Sequence, residues 1–203
     1  MGRIKRTNLP PKAVKARRYR ADSLPYLLKD FSKRCAYSGQ HLNRAGGLKC
    51  MEVDHFDPRS KHSAIQEYSN LFLATRHCNG RKGDNWPSSK ERHLGVRFID
   101  PCAEFDYGKH IFEDPSSCKL WSNTPPGRYQ IRMCDLNAPH LVEERMSRRR
   151  IWTQLKADAS IKIARSADFL KIKDIIKALR SQAEEMIPLW PEKSVPSGFK
   201  FIE

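Results

Sequence analysis

The spacing of apolar side chains predicts one amphipathic helix in the first part of the chain. Four apolar residues recur at intervals of three and four, which places them on one helical face: Leu24, Leu27, Leu28 and Phe31. Ser23 stands just before this stripe and belongs to a residue type that caps helices. We therefore predict a helix over residues 23–33, with its apolar face in the core.

A turn-rich stretch follows and predicts a hairpin that leads into a helix. Ser38-Gly39 and Gly46-Gly47 interrupt residues 35–58, and residues 49–55 suit a strand. The apolar run of residues 71–73 supplies a second strand, and the polar residues 76–82 after it suit a helix. The expected unit is two strands followed by one helix.

The second half of the chain is predicted to be mixed and then helical. Apolar and polar side chains alternate over residues 129–133, which predicts a strand with Pro125-Pro126-Gly127 as its turn. From Pro139 onward the apolar positions return to helical spacing, first around Leu141 and again over residues 169–179. The predicted fold class is therefore α+β.

Charge directs attention to a polyanionic partner. The 203 residues carry a net charge of +15, and the length suits one ordinary domain or a small core with an extension. Residues 1–22 contain eight Lys or Arg and read as a basic arm that could lie on phosphates or simply be a solvated tail. We divide the chain into this arm, a core at residues 23–100, and a mixed, then helical, extension at residues 101–203 packed on the core.

Cellular location is predicted from what the sequence lacks. The N-terminus has no apolar secretory core, and no apolar run approaches the roughly 18 residues that span a bilayer. We therefore expect a cytoplasmic protein with reduced cysteines and no membrane partner, although an anionic membrane surface would also attract such a charge. Nucleic acid is the first candidate partner.

Two neighbouring segments carry residues suited to phosphodiester chemistry. EVDHFDP, at residues 52–58, places Asp54 next to His55, and NLFLATRHCNGRKGD follows from Asn70 and contains Asn79. Phosphodiester hydrolysis needs an activated water, neutralisation of the phosphate charge and stabilisation of the departing oxygen. Adjacent side chains of a strand point to opposite faces, so a bend is needed if Asp54 and His55 serve one site.

These two strings resemble the HNH endonuclease family, whose ββα-metal element carries an Asp-His pair, a middle Asn, and a final Asn or His followed by Lys. The resemblance implies that His55 is the general base and that Asp54 and Asn79 hold one Mg²⁺ or Mn²⁺. It counts Asn70 with the catalytic set, as the residue that fixes the loop or orients His55. Three basic residues are expected to contact phosphate, with simple solvation as the alternative: Arg76, Arg81 and Lys82.

Many members of this family brace the element with a zinc ion held by two CxxC pairs. The corresponding positions here are Cys35 with Ser38, and Thr75 with Cys78, so each pair has exchanged one cysteine for a hydroxyl residue. Two thiolates leave a zinc site at half its ligand count, and we predict no structural Zn²⁺. Cys35 and Cys78 are expected to face each other as reduced, partly buried side chains.

The flanking segments resemble a narrower group. VRFIDP at residues 96–101 and LNAPHLVEERMSRRR at residues 136–150 look like parts of the nuclease subunits of Septu-type and retron-linked anti-phage modules. That resemblance implies a role in defence and a partner ATPase subunit. The predicted substrate is DNA, with RNA still open. A non-catalytic nucleic-acid-binding module and a subunit that is inert without its complex remain the alternatives.

Overall fold

The computed structural model describes residues 4–6, 14–15, 18–60, 62, 65–103, 108–166, 168–183, 185–186 and 190–201. The elements in chain order are β1 (Val14–Lys15), α1 (Tyr19–Asp30), β2 (Met51–His55), β3 (Ile65–Gln66), β4 (Leu71–Thr75), α2 (Arg76–Lys82), α3 (Ser89–His93), β5 (Phe112–Glu113), β6 (Leu120–Trp121), α4 (Pro125–Met133), α5 (Pro139–Ala164) and α6 (Phe169–Ala183). Helices stand beside small antiparallel sheets, which confirms the predicted α+β class. No helix in these ranges is long and apolar enough to cross a membrane.

The predicted two-strand-plus-helix unit is present. Strands β2 and β4 pair antiparallel, with Met51 opposite Thr75 and His55 opposite Leu71. Every residue of β4 is buried, and α2 begins directly after it. The Thr75 hydroxyl accepts the backbone N–H of Cys78 at 3.3 Å and so caps the helix. Helix α1 packs on this hairpin, with the rings of Phe31 and Phe72 5.5 Å apart.

Helix α1 differs from its prediction at both ends. It begins at Tyr19, and Ser23 lies buried inside it with its hydroxyl donating to the Tyr19 carbonyl. A serine hydroxyl can bond to the carbonyl one turn back, so this residue type did not mark a helix start. The helix ends at Asp30, because Ser32 and Lys33 adopt positive φ angles of 48° and 58°.

The strand predicted over residues 129–133 is wrong, because this segment lies in helix α4. The Thr124 hydroxyl accepts the N–H of Gly127 at 3.4 Å, and the prolines after it suit the first turn of a helix. Gln130 is buried, and its side-chain oxygen accepts the Ile99 N–H at 3.0 Å. Gln130 is thus a buried polar residue with a hydrogen-bond partner. Its place between apolar residues resembles the polar and apolar alternation of a strand.

The two helices predicted after Pro139 are present as α5 and α6. Buried arginines join α5 to residues 113–118. Arg148 lies 3.3 Å from the Glu113 carboxylate, and Arg145 donates to the Cys118 carbonyl at 2.7 Å. Burial lowers the pKa of Arg145 to about 10. These side chains stabilise the fold and are not available to a surface ligand.

The described part of residues 1–22 contacts the core. β1 pairs with β3, and Arg6 donates hydrogen bonds of 3.0 to 3.1 Å to the carbonyls of Tyr68, Ser69 and Leu71. The guanidinium also lies over three aromatic rings: Phe31, Tyr68 and Phe72. Arg6 therefore holds the turn that precedes β4. The division of the chain at residues 22 and 100 stays a prediction.

We expect Arg6→Ala to lower the free energy of unfolding by about 1.5–3 kcal/mol, because charge-assisted hydrogen bonds to part-buried carbonyls are lost. Urea denaturation followed by tryptophan fluorescence measures the change. Lys5→Ala removes the same charge from an exposed neighbour and should leave stability within about 0.5 kcal/mol of wild type. Equal effects of the two substitutions would contradict the role of Arg6.

Candidate active site

One cleft brings together three of the residues that the sequence predicts for chemistry. A cavity of about 190 Å³ is lined by Tyr19, Val53, Asp54, His55, Pro58, Asn79, Gly83 and Asp84. Asp54 and His55 both line it although they are neighbours in β2, and the bend in the chain comes only after His55, at residues 56 and 57. Asn79 arrives from α2, which packs against β2. The hairpin and helix therefore assemble the site.

Asp54 is buried and held by two neighbours. The Lys82 ammonium lies 3.0 and 3.2 Å from its carboxylate oxygens, and the Tyr37 hydroxyl donates to it. Burial raises the pKa of the Asp54 carboxyl above its ordinary value, while the Lys82 charge opposes that rise. Tyr37 was not predicted as part of the site, and no local sequence signal marks it.

Lys82 is placed differently from its prediction. Its side chain is 0% exposed, and its ammonium also donates to the His55 carbonyl at 2.8 Å. A fully buried ammonium cannot reach a phosphate at the surface, so the expected phosphate contact is corrected to an internal ion pair. Arg76 and Arg81 do lie at the surface, where they pair with Glu52 at 3.2 Å and Asp135 at 3.1 Å.

The amide of Asn79 has a defined orientation. Its nitrogen donates to the Glu52 carboxylate at 2.6 Å, and the same carboxylate holds Arg76. Because the nitrogen is used, the amide oxygen is the atom left to meet a ligand. Sequence analysis missed Glu52, although it stands two residues before Asp54 and therefore on the same face of β2.

Asn70 fixes the loop that follows His55. Its side-chain oxygen accepts the Asp57 N–H at 2.7 Å, and its nitrogen donates to the Asp57 carbonyl at 3.0 Å and the Ser60 hydroxyl at 2.7 Å. Its backbone carbonyl accepts the Phe56 N–H at 2.8 Å. These contacts act on the chain just beyond His55, while Asn70 is not one of the described residues that line the cleft.

Tyr19 packs on the imidazole of His55. The two ring centroids are 4.9 Å apart, and His55 is buried. Tyr19 fell within the predicted basic arm, so sequence analysis did not connect it to the site. Only the tertiary packing of α1 on the hairpin brings these two rings together.

The four positions of the two cysteine pairs converge beside the hairpin. The Cys35 sulfur accepts the Ser38 N–H at 3.4 Å and the Thr75 hydroxyl at 3.7 Å. Burial raises the pKa of Cys35, but hydrogen bonds from Cys78, Ser38 and Thr75 outweigh it and lower that pKa to about 6. Cys35 and Cys78 are fully buried, where partial burial was predicted.

The cleft offers oxygen atoms that suit a hard divalent cation. Among the described residues, no group of three or more His, Cys, Asp or Glu side chains could hold a metal ion. The Asp54 carboxylate and the Asn79 amide oxygen nevertheless line one cleft, and Mg²⁺ and Mn²⁺ prefer such ligands and keep several waters. The donor types therefore fit a cation bound by two protein groups, with other positions open to water and phosphate. At Asp54 such a cation would share the carboxylate with the Lys82 ammonium and the Tyr37 hydroxyl.

Comparison with known families agrees with this geometry. The family model described as HNH endonuclease matches residues 33–85, which include β2, β4 and α2. No curated protein and no solved structure gives a significant match to the chain. The matched residues contain the hairpin, the helix and most of the cleft lining. The chain therefore carries, at residues 33–85, a domain of the HNH endonuclease family, a family of nucleases.

Proposed function

We propose that this protein is a metal-dependent endonuclease that hydrolyses DNA phosphodiester bonds at the cleft between β2 and α2. The observation that carries the proposal is the meeting of Asp54, His55 and Asn79 in that one cleft. The net charge of +15 supports a polyanionic substrate. A non-catalytic binding module would share the charge but would not need the shared cleft.

His55 is the proposed general base. Histidine accepts a proton readily near neutral pH, which suits the activation of water. Its surroundings limit its movement, because Tyr19 packs on its ring and Lys82 holds its carbonyl oxygen. Asn70 fixes the loop immediately beyond it. These contacts position the imidazole before substrate arrives.

Asp54 and Asn79 are the proposed ligands of Mg²⁺ or Mn²⁺. The bound ion would neutralise charge on the phosphate and stabilise the departing oxygen. Glu52 turns the Asn79 amide so that its oxygen is available, and Lys82 with Tyr37 holds Asp54 in place. The expected products carry a 5′-phosphate and a 3′-hydroxyl.

We expect Asn79→Ala to shift cleavage to higher Mg²⁺ or Mn²⁺ concentrations or to remove it, because one of two protein ligands is lost. A metal titration of plasmid cleavage measures the shift. Asn123→Ala changes an exposed asparagine outside residues 33–85 and should leave the titration unchanged. Identical curves for wild type and Asn79→Ala would show that Asn79 is not a ligand.

Chelation distinguishes the proposed catalytic metal from a structural zinc. EDTA should stop cleavage and leave the thermal unfolding temperature unchanged, because Cys35 and Cys78 pack without zinc in this account. Elemental analysis showing one tightly bound zinc per chain, or unfolding on chelation, would contradict the prediction that Cys35 and Cys78 pack without zinc.

Arg76 and Arg81 are the proposed phosphate contacts. Each alanine substitution should weaken DNA binding for all sequences and reduce the slope of log affinity against log salt by about 0.9 per lost contact. Fluorescence anisotropy over a salt series measures the slope, with Arg165→Ala as an exposed control outside the domain. Slopes that match the control would show that neither side chain contacts phosphate. Binding and cleavage of an RNA of the same sequence test whether DNA is the preferred substrate.

We extend the proposal to anti-phage defence with a partner ATPase, on the resemblance of residues 96–101 and 136–150 alone. The protein should co-purify with an ATPase whose gene lies next to its own. Protection of cells from phage should be lost in His55→Ala. Protection from phage by this chain in cells that lack the ATPase would contradict the need for a partner.

A further inference from the structure

Helix α6 packs one apolar face against the rest of the protein. Ile172, Ile175 and Leu179 recur at spacings of three and four and are half-buried, and α6 contacts α5. This face is therefore the one that anchors α6 on α5. A helix at the surface needs only one such face for its packing.

A second face of α6 also carries large apolar side chains, and these are exposed. Phe169 is 77% exposed and Leu170 is 69% exposed, and Ile176 lies one or two turns further along. With three cations they form what we call the outer face: Phe169, Leu170, Lys173, Ile176, Lys177 and Arg180. A shallow cavity of about 740 Å³ is lined by these six side chains together with Ile172 and Asp174. Exposed apolar side chains grouped on one face are typical of interaction surfaces.

The charge on α6 indicates which partner fits. The helix carries Lys171, Lys173, Lys177 and Arg180 against a single acid, Asp174. A second copy of this chain would bring the same cations together and be repelled. The phosphate backbone of nucleic acid would pair with the cations but offers no apolar surface to cover Leu170 and Ile176. An acidic protein surface with apolar residues satisfies both groups.

We propose that the outer face of α6 docks an acidic amphipathic helix of another protein. Residues 169, 173, 176 and 180 follow the three- and four-residue spacing of a helix stripe, so apolar and cationic positions alternate along one line. That line is about 16 Å long at 1.5 Å per residue, which matches three turns of a partner helix. Leucines of the partner would cover Phe169, Leu170 and Ile176, and its carboxylates would pair with the cations.

A designed peptide tests this surface on the full chain. The probe is a fluorescein-labelled helical peptide of about 18 residues with leucine on one face and glutamate beside it. Two comparison peptides are used. One has the same residues in scrambled order, and the other has lysine in place of glutamate. Anisotropy measures binding, and hydrogen exchange measures protection of residues 169–180. Vesicles of phosphatidylserine and phosphatidylcholine, and sedimentation of the chain alone, test a membrane and a second copy.

We expect only the acidic amphipathic peptide to bind and to protect residues 169–180. Leu170→Ser should weaken binding about tenfold or more, whereas Leu94→Ser, which removes an equally exposed leucine elsewhere, should not. Absence of peptide binding, or equal binding of the scrambled peptide, would overturn the proposal. Vesicle binding or self-association that Leu170→Ser abolishes, without peptide binding, would assign the face to a membrane or to a second copy instead.

Discussion

His55→Ala should lower the rate of DNA cleavage by about 10²–10⁴-fold while DNA affinity stays nearly unchanged. The imidazole is the proposed acceptor of the proton from water, so its loss acts on the chemical step. Affinity is expected to come from many phosphate contacts at exposed cations, to which a buried histidine contributes little.

Single-turnover cleavage measures the rate, and anisotropy with a labelled duplex in Ca²⁺ measures affinity. His93→Ala is the matched control, since His93 is an exposed histidine on α3 outside the cleft. Its rate and affinity should equal those of wild type. Cleavage by His55→Ala at the wild-type rate would remove His55 from the mechanism, and a parallel loss of affinity would indicate a binding role.

Lys82→Met should lower the free energy of unfolding by about 3–5 kcal/mol, because it leaves the Asp54 carboxylate buried without its cation. Arg81→Ala is the control: it removes a neighbouring charge whose ion pair is exposed, and it should cost at most about 1 kcal/mol. Urea denaturation of both variants measures the difference. Similar small losses would show that the buried pair contributes little.

The same variant has a predictable pH dependence. Burial already raises the pKa of Asp54, and removing Lys82 removes an opposing charge, so the folded pKa rises further above the unfolded value. A carboxyl with a raised folded pKa binds more protons when folded, so stability falls as pH rises through the interval between the two values. The deficit of Lys82→Met should therefore be smaller at pH 5 than at pH 8. Asp54→Asn in the same chain should recover part of the loss.

The parts of the fold that were predicted correctly depend on neighbours in sequence. The pairing of β2 with β4 follows from turn residues and short apolar runs, and α2 follows from the polar segment after the second run. The resemblance singled out Asp54, His55 and Asn79 by their order and spacing; β2 carries the first two and α2 the third, and all three line one cleft. Local pattern was sufficient for the two strands and the helix, while the chemical roles of these three residues stay a prediction.

The parts that were missed depend on tertiary contacts. Lys82 looks like a surface cation in a polar helix, yet Asp54 and the aromatic rings of Tyr37 and Phe98 make a buried site for it. Gln130 is polar but fully buried, so the order of polar and apolar residues in α4 resembles the alternation of a strand. Tyr19 reaches His55 only because α1 packs across the hairpin. No spacing rule within a segment contains this information.

Cleavage of supercoiled plasmid is the direct test of the proposed nuclease activity. The purified full chain is incubated with plasmid in Mg²⁺ or Mn²⁺, in EDTA, and as His55→Ala, and the ends of the products are analysed. Wild type with metal should give nicked or linear DNA with 5′-phosphate and 3′-hydroxyl ends, and the plasmid should stay intact in both controls. Cleavage that persists in EDTA or in His55→Ala, or an inert wild type with every metal and nucleic acid tried, would contradict it.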